Sequence, residues 1–336
     1  MSTISDEELF TYAERIKGKV VVITGAANGI GKRTAQVFAK YGAKIVIGDL
    51  DVDGAGATVA ESIKAGGEAV SQRCDVLNWD DQVSLFELAM NTYGAVDVVI
   101  PNAGVTEMGI FNRVEFKNGK PIKPKTTTLE VNLLGALYTA HLALYYLKVG
   151  SVPGSLKAII FMASMSSWQA IPGGTMYSAA KHGVLGVMRS LDPILALDGI
   201  RTNAIHPWFA DTAIVPTIMR LAIAGIPLTP VDRIAGAFFY AATDPDMNTS
   251  GSPLLLPDDG PVFRLDKEEL REGVYGLVNA RTAMLTKGIS SLKLFIGFVI
   301  DLLRVVRGNK GFLIMFSVTA SLALSRVPVI SQWIRK

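Results

Sequence analysis

A tyrosine and a lysine lie four residues apart in the segment MYSAAKHGV, at Tyr177 and Lys181. The segment has the pattern of a helix, and this spacing places both side chains on one helical face. A phenol has a pKa of about 10 and is a poor base near neutrality, whereas a neighbouring ammonium favours the phenolate. The pair predicts a general acid and base that exchanges a proton with an alcohol or carbonyl oxygen. Because such pairs also occur on ordinary amphipathic helices, other residues must decide between these interpretations.

Two further polar residues are candidates for the same site. Ser164 ends the apolar run AIIFMAS, where its hydroxyl can hold the reacting oxygen, and Ser166 and Ser167 follow in the same loop. Asn132 lies inside a predicted helix, in EVNLLGA, where a polar side chain is unfavourable without a partner. It is therefore either part of the site or a buried amide that bends the helix.

Near its start, the sequence VVVITGAANGIGKRTAQVFAKYGAKIVIGD runs from a strand through a glycine-rich turn and a helix into a second strand that ends on an acid. Gly25, Gly29 and Gly31 permit positive φ and a close approach of the backbone to a pyrophosphate, which would lie against the helix N-terminus. The order of elements predicts a dinucleotide site. A glycine-rich turn that binds no ligand is the alternative.

Acidic and amide residues follow the next strands. Asp49 ends the second strand, where its carboxylate can bind both ribose hydroxyls of an adenosine and would repel a 2′-phosphate, so we expect NAD rather than NADP. Asp75 follows the third strand and is a candidate either for the adenine amino group or for a helix N-cap. Asn102 ends the fourth strand, where its amide can brace neighbouring backbone, and Gly104 leaves room for the cofactor.

Composition and motifs exclude several other classes of protein. No cysteine or carboxylate cluster accompanies His141, His182 or His206, so no metal site is expected. Ser164 does not lie in a G-x-S-x-G turn, which argues against an α/β-hydrolase. The net charge of +3 is too small to suggest nucleic acid. A single cysteine, Cys74, and a start without a signal-peptide pattern predict a reducing, intracellular compartment.

Short apolar runs alternate with helical segments from about Lys19 to about Pro257. Strands of nearly continuous apolar residues are typical of a parallel sheet that helices cover on both faces. The pattern predicts an α/β doubly wound sheet, the Rossmann fold, with about seven strands. We expect one catalytic domain over residues 1–264, interrupted by a polar insertion at 115–125, and a helical extension over 265–336.

Taken together, these motifs resemble the short-chain dehydrogenase/reductase family. They are T-G-x3-G-x-G at residues 24–31, NAG at 102–104, a serine thirteen residues before a tyrosine, and Tyr-x3-Lys. The resemblance covers about 19–257 and implies a catalytic tetrad of Asn132, Ser164, Tyr177 and Lys181. In this family the asparagine anchors a water that links the lysine to solvent.

The resemblance also implies further cofactor contacts. The segment HPWFADT is similar to the family's Pro-Gly-x3-Thr, with Trp208 in place of the glycine, and would hold the nicotinamide carboxamide. Family members often pair through the helices that carry Asn132 and Tyr177, which implies a homodimer or homotetramer. The complete predicted cofactor-binding set is Thr24, Gly25, Asn28, Gly29, Ile30, Gly31, Asp49, Asp75, Val76, Asn102, Ala103, Gly104, Tyr177, Lys181, Pro207, Phe209 and Thr212.

The family places its substrate lid over residues 208–230, and here that segment is unusually apolar. This indicates a bulky, lipophilic secondary alcohol or ketone of the steroid, terpenoid, polyketide or prostaglandin kind. An apolar segment of this kind is equally typical of core packing or of an oligomer contact.

The carboxyl-terminal segment has a charge of its own. Residues 273–336 contain nine basic residues and one acidic residue, a net charge of +8, so the preceding part carries −5. An amphipathic stripe and a second apolar run, over residues 289–327, predict helices that lie on a membrane surface. A helical cap or a dimer contact is the alternative. The protein would then be cytoplasmic, or peripheral or monotopic on an intracellular membrane.

The leading hypothesis is an NAD-dependent oxidoreductase that interconverts a secondary alcohol and a ketone, with Tyr177 as general acid and base. The alternative is a catalytically idle dinucleotide-binding protein that senses redox state or acts as a scaffold at a membrane. A protein that only binds has no need of the tetrad, which favours the enzyme.

Overall fold

The computed structural model describes residues 2–109, 111–212, 215, 220–221, 223–267 and 295–300. The chain divides into two compact units, Met1–Leu270 and Arg271–Lys336. In the second unit the described residues, 295–300, are helical, and the rest of the predicted membrane-associated segment 289–327 lies outside the described residues. Among the helices that are described, none is both long and apolar enough to cross a membrane.

The described part of the first unit contains one nine-stranded sheet. The strands are β1 (Ser2–Ile4), β2 (Val20–Thr24), β3 (Lys44–Asp49), β4 (Glu68–Arg73), β5 (Val98–Ile100), β8 (Ala158–Met162), β9 (Arg201–Pro207), β10 (Pro253–Leu256) and β11 (Val262–Arg264), with a separate hairpin of β6 (Phe116–Lys117) and β7 (Lys120–Pro121). Seven strands run parallel in the order β4-β3-β2-β5-β8-β9-β10, and two antiparallel strands, β11 and β1, extend the β10 edge. The sequence predicts about seven strands, and the two short antiparallel edge strands are additional.

Helices cover both faces of the sheet. The helices are α1 (Gly29–Lys40), α2 (Val52–Lys64), α3 (Trp79–Tyr93), α4 (Thr127–Leu129), α5 (Ala136–Tyr146), α6 (Thr175–Leu195) and α7 (Val231–Thr243). Side chains along each strand alternate between the two faces. Val21 and Ile23 of β2 belong to the core that contains α1 and α7, whereas Val20 and Val22 belong to the core that contains α3, α5 and α6. Because both faces are covered, the strand sequences are apolar throughout.

The strand order reverses between β2 and β5. From β2 the chain proceeds outward through β3 and β4, and from β5 it proceeds in the opposite direction through β8, β9 and β10. In an open parallel sheet, such a reversal leaves a crevice outside the carboxyl ends of the strands, where ligands bind. The residues that follow β2, β3, β5, β8 and β9 therefore converge on one side of the sheet.

Two irregular segments shape this side. Between α4 and α5 the helix widens into a π-helical segment, Glu130–Gly135, which contains Asn132; such segments are frequent at functional sites. The predicted lid over 208–230 is described only in part. Its two ends are joined, because the Thr229 N–H donates to the Phe209 carbonyl at 2.8 Å and the Thr229 hydroxyl donates to Leu256.

Candidate active site

A cavity of about 560 Å³ opens at the carboxyl ends of the parallel strands. It contains the predicted tetrad, Asn132, Ser164, Tyr177 and Lys181, and every member of the predicted cofactor-binding set except Thr24. Trp208, which the sequence also singled out, lines the cavity as well. Further lining residues that the sequence did not single out include Val105, Thr106, Glu107, Val131, Met162, Ile171, Pro172, Gly173, Gly174 and Val215.

The glycine-rich turn leaves backbone, not side chains, at the entrance to α1. Gly25 and Gly29 have positive φ, 70° and 57°, and a Cβ at Gly25 would lie 2.5 Å from the Cα of Ala103. The first amides of α1 lack an intrahelical partner. Asn28 provides no side-chain cap, and the first turn has no acidic residue. The helix N-terminus therefore faces the cavity as an uncompensated anion site, which suits a pyrophosphate.

The amide of Asn102 braces the turn from the neighbouring strand. Its Nδ2 donates to the carbonyl oxygens of Thr24 at 3.0 Å and Gly25 at 2.6 Å. The Thr24 hydroxyl in turn accepts from the backbone N–H of Asn102 and Ala103. Thr24 is buried beneath the turn and does not line the cavity, and its hydroxyl braces the two strands. Its cofactor contact stays a prediction.

Asp49 and Asp75 both line the cavity. The Asp49 carboxylate accepts from the N–H of Ala27 at 2.8 Å and of Asp51 at 3.0 Å, so it also fixes the glycine-rich turn. Asp75 accepts from Leu77, whereas the N-cap of α3 is Asn78. The alternative of Asp75 as a helix cap is therefore wrong.

The described lining of the cavity is consistent with a dinucleotide. The buried Thr212 hydroxyl has no hydrogen-bond partner within the described part of the chain, although it lies where a carboxamide contact is predicted. A Cβ at Gly29 would lie 3.5 Å from this threonine's methyl carbon, so the glycine turn and the strand β9 loop approach each other closely. Lys181 is the single basic side chain among the described residues that line the cavity.

Tyr177, Lys181 and Ser164 meet at one end of the cavity. Tyr177 and Lys181 lie one turn apart on α6, with the Lys181 Nζ 5.6 Å from the centroid of the Tyr177 ring. The buried ammonium donates to the Met162 carbonyl at the end of β8, at 2.9 Å. Ser164 follows two residues later, and its Oγ accepts from Ser166 at 3.0 Å. Helix α6 thus brings the Tyr177 phenol and the Lys181 ammonium, and the end of β8 brings the Ser164 hydroxyl, to the same end of the cavity.

Burial determines the pKa values of this group. Burial raises the pKa of the Tyr177 phenol, and the hydrogen bond from Ser164 acts in the opposite direction. Burial also lowers the pKa of Lys181 to about 8. Desolvation disfavours the charged form of both side chains, so the predicted effect of the ammonium on the phenol acts against burial.

Neither of the alternative serines lines the cavity. Ser166 shares a hydrogen bond with Ser178 at 2.9 Å, and Ser167 donates to the Lys181 carbonyl at 2.8 Å. Both hydroxyls therefore attach the loop after β8 to α6. Ser164 is the serine of this loop that the cavity exposes.

The histidines contact protein groups. His182 Nδ1 lies 2.9 Å from the Ser178 carbonyl oxygen, and burial lowers the pKa of His206 to about 3. Within the described residues, no group of three or more histidine, cysteine or carboxylate side chains could hold a metal ion.

The side chain of Asn132 holds the segment that follows β5. Its Oδ1 accepts from the Val105 N–H at 2.7 Å and its Nδ2 donates to the Val105 carbonyl at 2.8 Å. This pair of bonds explains why a polar residue is stable inside the helix. The role of Asn132 in anchoring a water stays a prediction.

Glu107 is a residue that the sequence did not reveal. Its carboxylate accepts from the backbone N–H of Tyr177 at 2.8 Å and of Met176 at 3.3 Å. These amides belong to the first turn of α6, whose own N-cap, Gly174, has no side chain to offer. A carboxylate at this end also complements the helix dipole. Glu107 therefore caps the helix that carries Tyr177 from across the cavity, and a contact seventy residues away leaves no local signal.

Replacing Lys181 with methionine should stabilise the protein below pH 8. The fall in the pKa of Lys181 from 10.5 to about 8 corresponds to a cost of about 3 kcal/mol, and the lost hydrogen bond offsets about 1 kcal/mol of it. Urea unfolding at pH 7 should give a gain of roughly 2 kcal/mol. The gain should fade between pH 8 and pH 10.5, since in this range the folded lysine has lost its proton while that of the unfolded chain retains it, so the wild type gains stability as the pH rises.

Lys157→Met is the matched control for this measurement. Lys157 is equally buried but its Nζ lies 3.1 Å from the Asp97 carboxylate. Its removal leaves the buried Asp97 carboxylate without its cation. The free energy of unfolding should therefore fall by about 3–5 kcal/mol. A Lys181→Met variant that is destabilised to a similar degree would contradict the argument.

Replacing Glu107 with alanine should weaken the start of α6. The free energy of unfolding should fall by about 1 kcal/mol, and amide hydrogen exchange at Met176 and Tyr177 should accelerate. Glu107→Gln retains an acceptor and should lose less. Glu61→Ala, which removes an exposed carboxylate paired with Lys32, is the control and should have little effect. Unchanged exchange at both amides in Glu107→Ala would rule out the cap.

Comparison with known proteins identifies the family of this chain. The family model described as short chain dehydrogenase matches residues 19–220. The chain is 33% identical over 236 residues to the short-chain dehydrogenase/reductase ascJ of Acremonium egyptiacum, covering 68% of this chain and 76% of the relative. It is 32% identical over 284 residues to 5′-hydroxyaverantin dehydrogenase of Dothistroma septosporum, covering 78% and 90%.

A solved structure has the same architecture. It is a 3-ketoacyl-(acyl-carrier-protein) reductase from Brucella melitensis complexed with NADH, with a TM-score of 0.64 and 28% identity, covering 73% of this chain and 98% of that chain. The family match spans most of the sheet and the segment that carries the Tyr177 and Lys181 pair. This chain therefore belongs to the short-chain dehydrogenase/reductase family of oxidoreductases.

Proposed function

We propose that the protein is an NAD-dependent oxidoreductase that interconverts a secondary alcohol and a ketone on a bulky, lipophilic substrate. The observation that carries the proposal is the convergence of Ser164, Tyr177 and Lys181 on the cavity beside the open N-terminus of α1. Any one of these residues could occur at its position by chance. Proton exchange with a substrate oxygen beside a bound dinucleotide requires all three side chains next to the N-terminus of α1, which is where they lie.

The proton path starts at the substrate oxygen. The Ser164 hydroxyl holds that oxygen, and the Tyr177 phenol gives a proton to it in ketone reduction or takes one from it in alcohol oxidation. Lys181 supplies positive charge near the phenolate when it forms, with its ammonium fixed by the Met162 carbonyl. Glu107 and the first turn of α6 hold the tyrosine in position. Asn132 keeps the opposite wall in place through Val105.

The bound nicotinamide would supply the hydride acceptor or donor. The first amides of α1 would bind its pyrophosphate, and Thr212, with Pro207 and Phe209, would hold its carboxamide end. Asp49 would accept the ribose hydroxyls through the lone pairs that its two backbone contacts leave free. Support for NAD over NADP comes from the charge of Asp49 and from the NADH in the related Brucella melitensis structure.

The walls of the substrate end favour an apolar molecule. Val105, Val131, Ile171, Trp208 and Phe209 line the cavity, and the lid segment between residues 208 and 230 is rich in aliphatic residues. The similarity to 5′-hydroxyaverantin dehydrogenase supports a polyketide-like or comparably bulky alcohol. Steroid, terpenoid and prostaglandin-like alcohols fit the same description.

We further propose a homodimer or homotetramer in an intracellular setting, peripheral to a membrane where residues 289–327 contact it. Exposed apolar side chains at Leu137 and Tyr145 of α5 and at Ile194 of α6 support pairing through these helices. A catalytically idle dinucleotide sensor or scaffold is the less favoured alternative, since it leaves the tetrad without a purpose.

Tyr177→Phe should abolish most turnover without preventing cofactor binding. The substitution removes the acid and base alone, so kcat should fall by roughly 10²–10⁴-fold in a screen of lipophilic secondary alcohols with NAD. Tyr93→Phe, on α3 and outside the cavity lining, is the matched control and should retain full activity. Unchanged oxidation of every accepted alcohol by Tyr177→Phe would refute the mechanism, and no turnover of any alcohol or ketone by the wild type would favour the idle sensor.

Asp49→Asn should relax the choice of cofactor. The amide keeps one of the two oxygens that accept from backbone N–H groups. It no longer repels a 2′-phosphate, so the NAD-to-NADP ratio of kcat/KM should fall by at least about tenfold, the equivalent of about 1.4 kcal/mol. Asp49→Ala should lower this ratio by a similar factor and should also lower the free energy of unfolding. Asp53→Ala, an exposed acid in α2, is the control. An undiminished preference for NAD in both Asp49 variants would defeat the cofactor argument.

A further inference from the structure

The insertion between β5 and α4 forms an exposed hairpin, residues 111–125, here called the basic hairpin. It contains β6 and β7 joined by Asn118 and Gly119, both with positive φ, as a tight two-residue turn requires. Every residue from 111 to 125 is exposed. None of them lines the cavity, so neither the proposed chemistry nor the core accounts for this segment.

The charge of the basic hairpin is one-sided. It carries five cations and one carboxylate, Glu115, a net charge of +4. Lys117 and Lys120 face each other directly across the two strands, an arrangement that like charges destabilise. None of the five cations forms a salt bridge with a carboxylate in the described residues. The cations are Arg113, Lys117, Lys120, Lys123 and Lys125. The fold leaves this charge uncompensated, which points to a partner that carries negative charge.

The same segment exposes large apolar side chains. Phe116 is 66% exposed and Val114 63% exposed, and Phe111 and Ile122 are also exposed. Phe116 lies opposite Pro121, so one face of the small hairpin is apolar next to the lysine pair. Exposed apolar side chains surrounded by cations are typical of segments that insert shallowly into an anionic lipid surface.

We propose that the basic hairpin docks on an anionic phospholipid surface. Its cations would contact the headgroups, and Val114 and Phe116 would enter the boundary of the acyl chains. Other occupants fit the charge less well. Residues 273–336 carry +8, and the hairpin of a second copy carries the same +4, so both would be repelled. Nucleic acid would satisfy the lysines but offers little to the aliphatic side chains.

The position of the hairpin connects it to the cavity. Glu107, which lines the cavity and caps α6, lies only a few residues before Phe111. Next to it, the Met108 N–H donates to the Thr128 hydroxyl at 2.8 Å, which anchors the base of the insertion. A docked hairpin would therefore hold the substrate wall near the phase in which a lipophilic molecule dissolves. This last step rests on the proposed function, whereas the docking itself does not.

Vesicle sedimentation of the full chain tests the docking. Vesicles of phosphatidylcholine alone are compared with vesicles that also contain phosphatidylserine. Two double variants are used: Lys117→Glu with Lys120→Glu, and Val114→Ser with Phe116→Ser. Each should lower the partition coefficient on the anionic vesicles by at least about tenfold, and wild-type binding should weaken with added salt. Binding to phosphatidylcholine alone should be weak throughout.

The controls are double variants of the same chemistry elsewhere on the surface. Lys17→Glu with Lys64→Glu changes two exposed lysines, and Ile63→Ser with Val152→Ser changes two exposed apolar residues. Both should bind anionic vesicles like the wild type. Circular dichroism and thermal unfolding establish that all variants are folded, and this readout does not depend on the proposed function.

Three results would overturn the proposal. The first is wild-type binding to anionic vesicles that both hairpin variants retain, which would assign membrane contact to another segment. The second is an equal loss of binding to anionic vesicles in the control variants, which would show that the hairpin is not the specific site of contact. The third is no wild-type binding to the anionic vesicles, and tight binding of a single-stranded oligonucleotide that the hairpin lysines control would then assign the cations to nucleic acid.

Discussion

The Lys181 side chain is buried, and much of the site is arranged around the need to accommodate its charge. A buried cation is tolerated only where fixed dipoles replace its hydration. Here the Met162 carbonyl at the end of β8 does so, which requires α6 to lie against that strand end in one register. The same register places Tyr177 one turn away and keeps Ser164 beside it. The position of the proposed acid and base thus follows from where a lysine can be buried.

Because the helix must hold this register from its first turn, its N-terminus is critical. Glu107 provides the acceptor that Gly174 lacks, and Asn132 holds Val105, in the segment that leads to Glu107. The strand-order reversal, the π-helical segment and the α6 cap are therefore one connected structure. A change to any of them reaches the phenol through backbone contacts rather than through charge.

The sequence predicts those parts of the molecule whose signals are local. Continuous apolar strands, the glycine turn and the Tyr-x3-Lys pair each lie within a short window, and the parallel sheet and most of the cavity lining follow from them. The cap by Glu107 was missed because it depends on residues far apart in sequence. The bracing contact of the Thr24 hydroxyl has no local signal either, because it depends on Asn102 in the neighbouring strand. The effect of burial on the pKa of Tyr177 has no local signal, because it depends on three-dimensional packing.

The outermost strand of the sheet also constrains how the protein can fold. Ser2–Ile4 pairs with Val262–Arg264, and the ion pair between Asp6 and Arg233 spans 227 residues. These contacts close almost the entire domain, so the edge cannot form until nearly all of it has been synthesised. Contacts between distant parts of a chain slow folding. We expect the β10 and β11 edge to be the last region to become protected and the first to admit a chaperone.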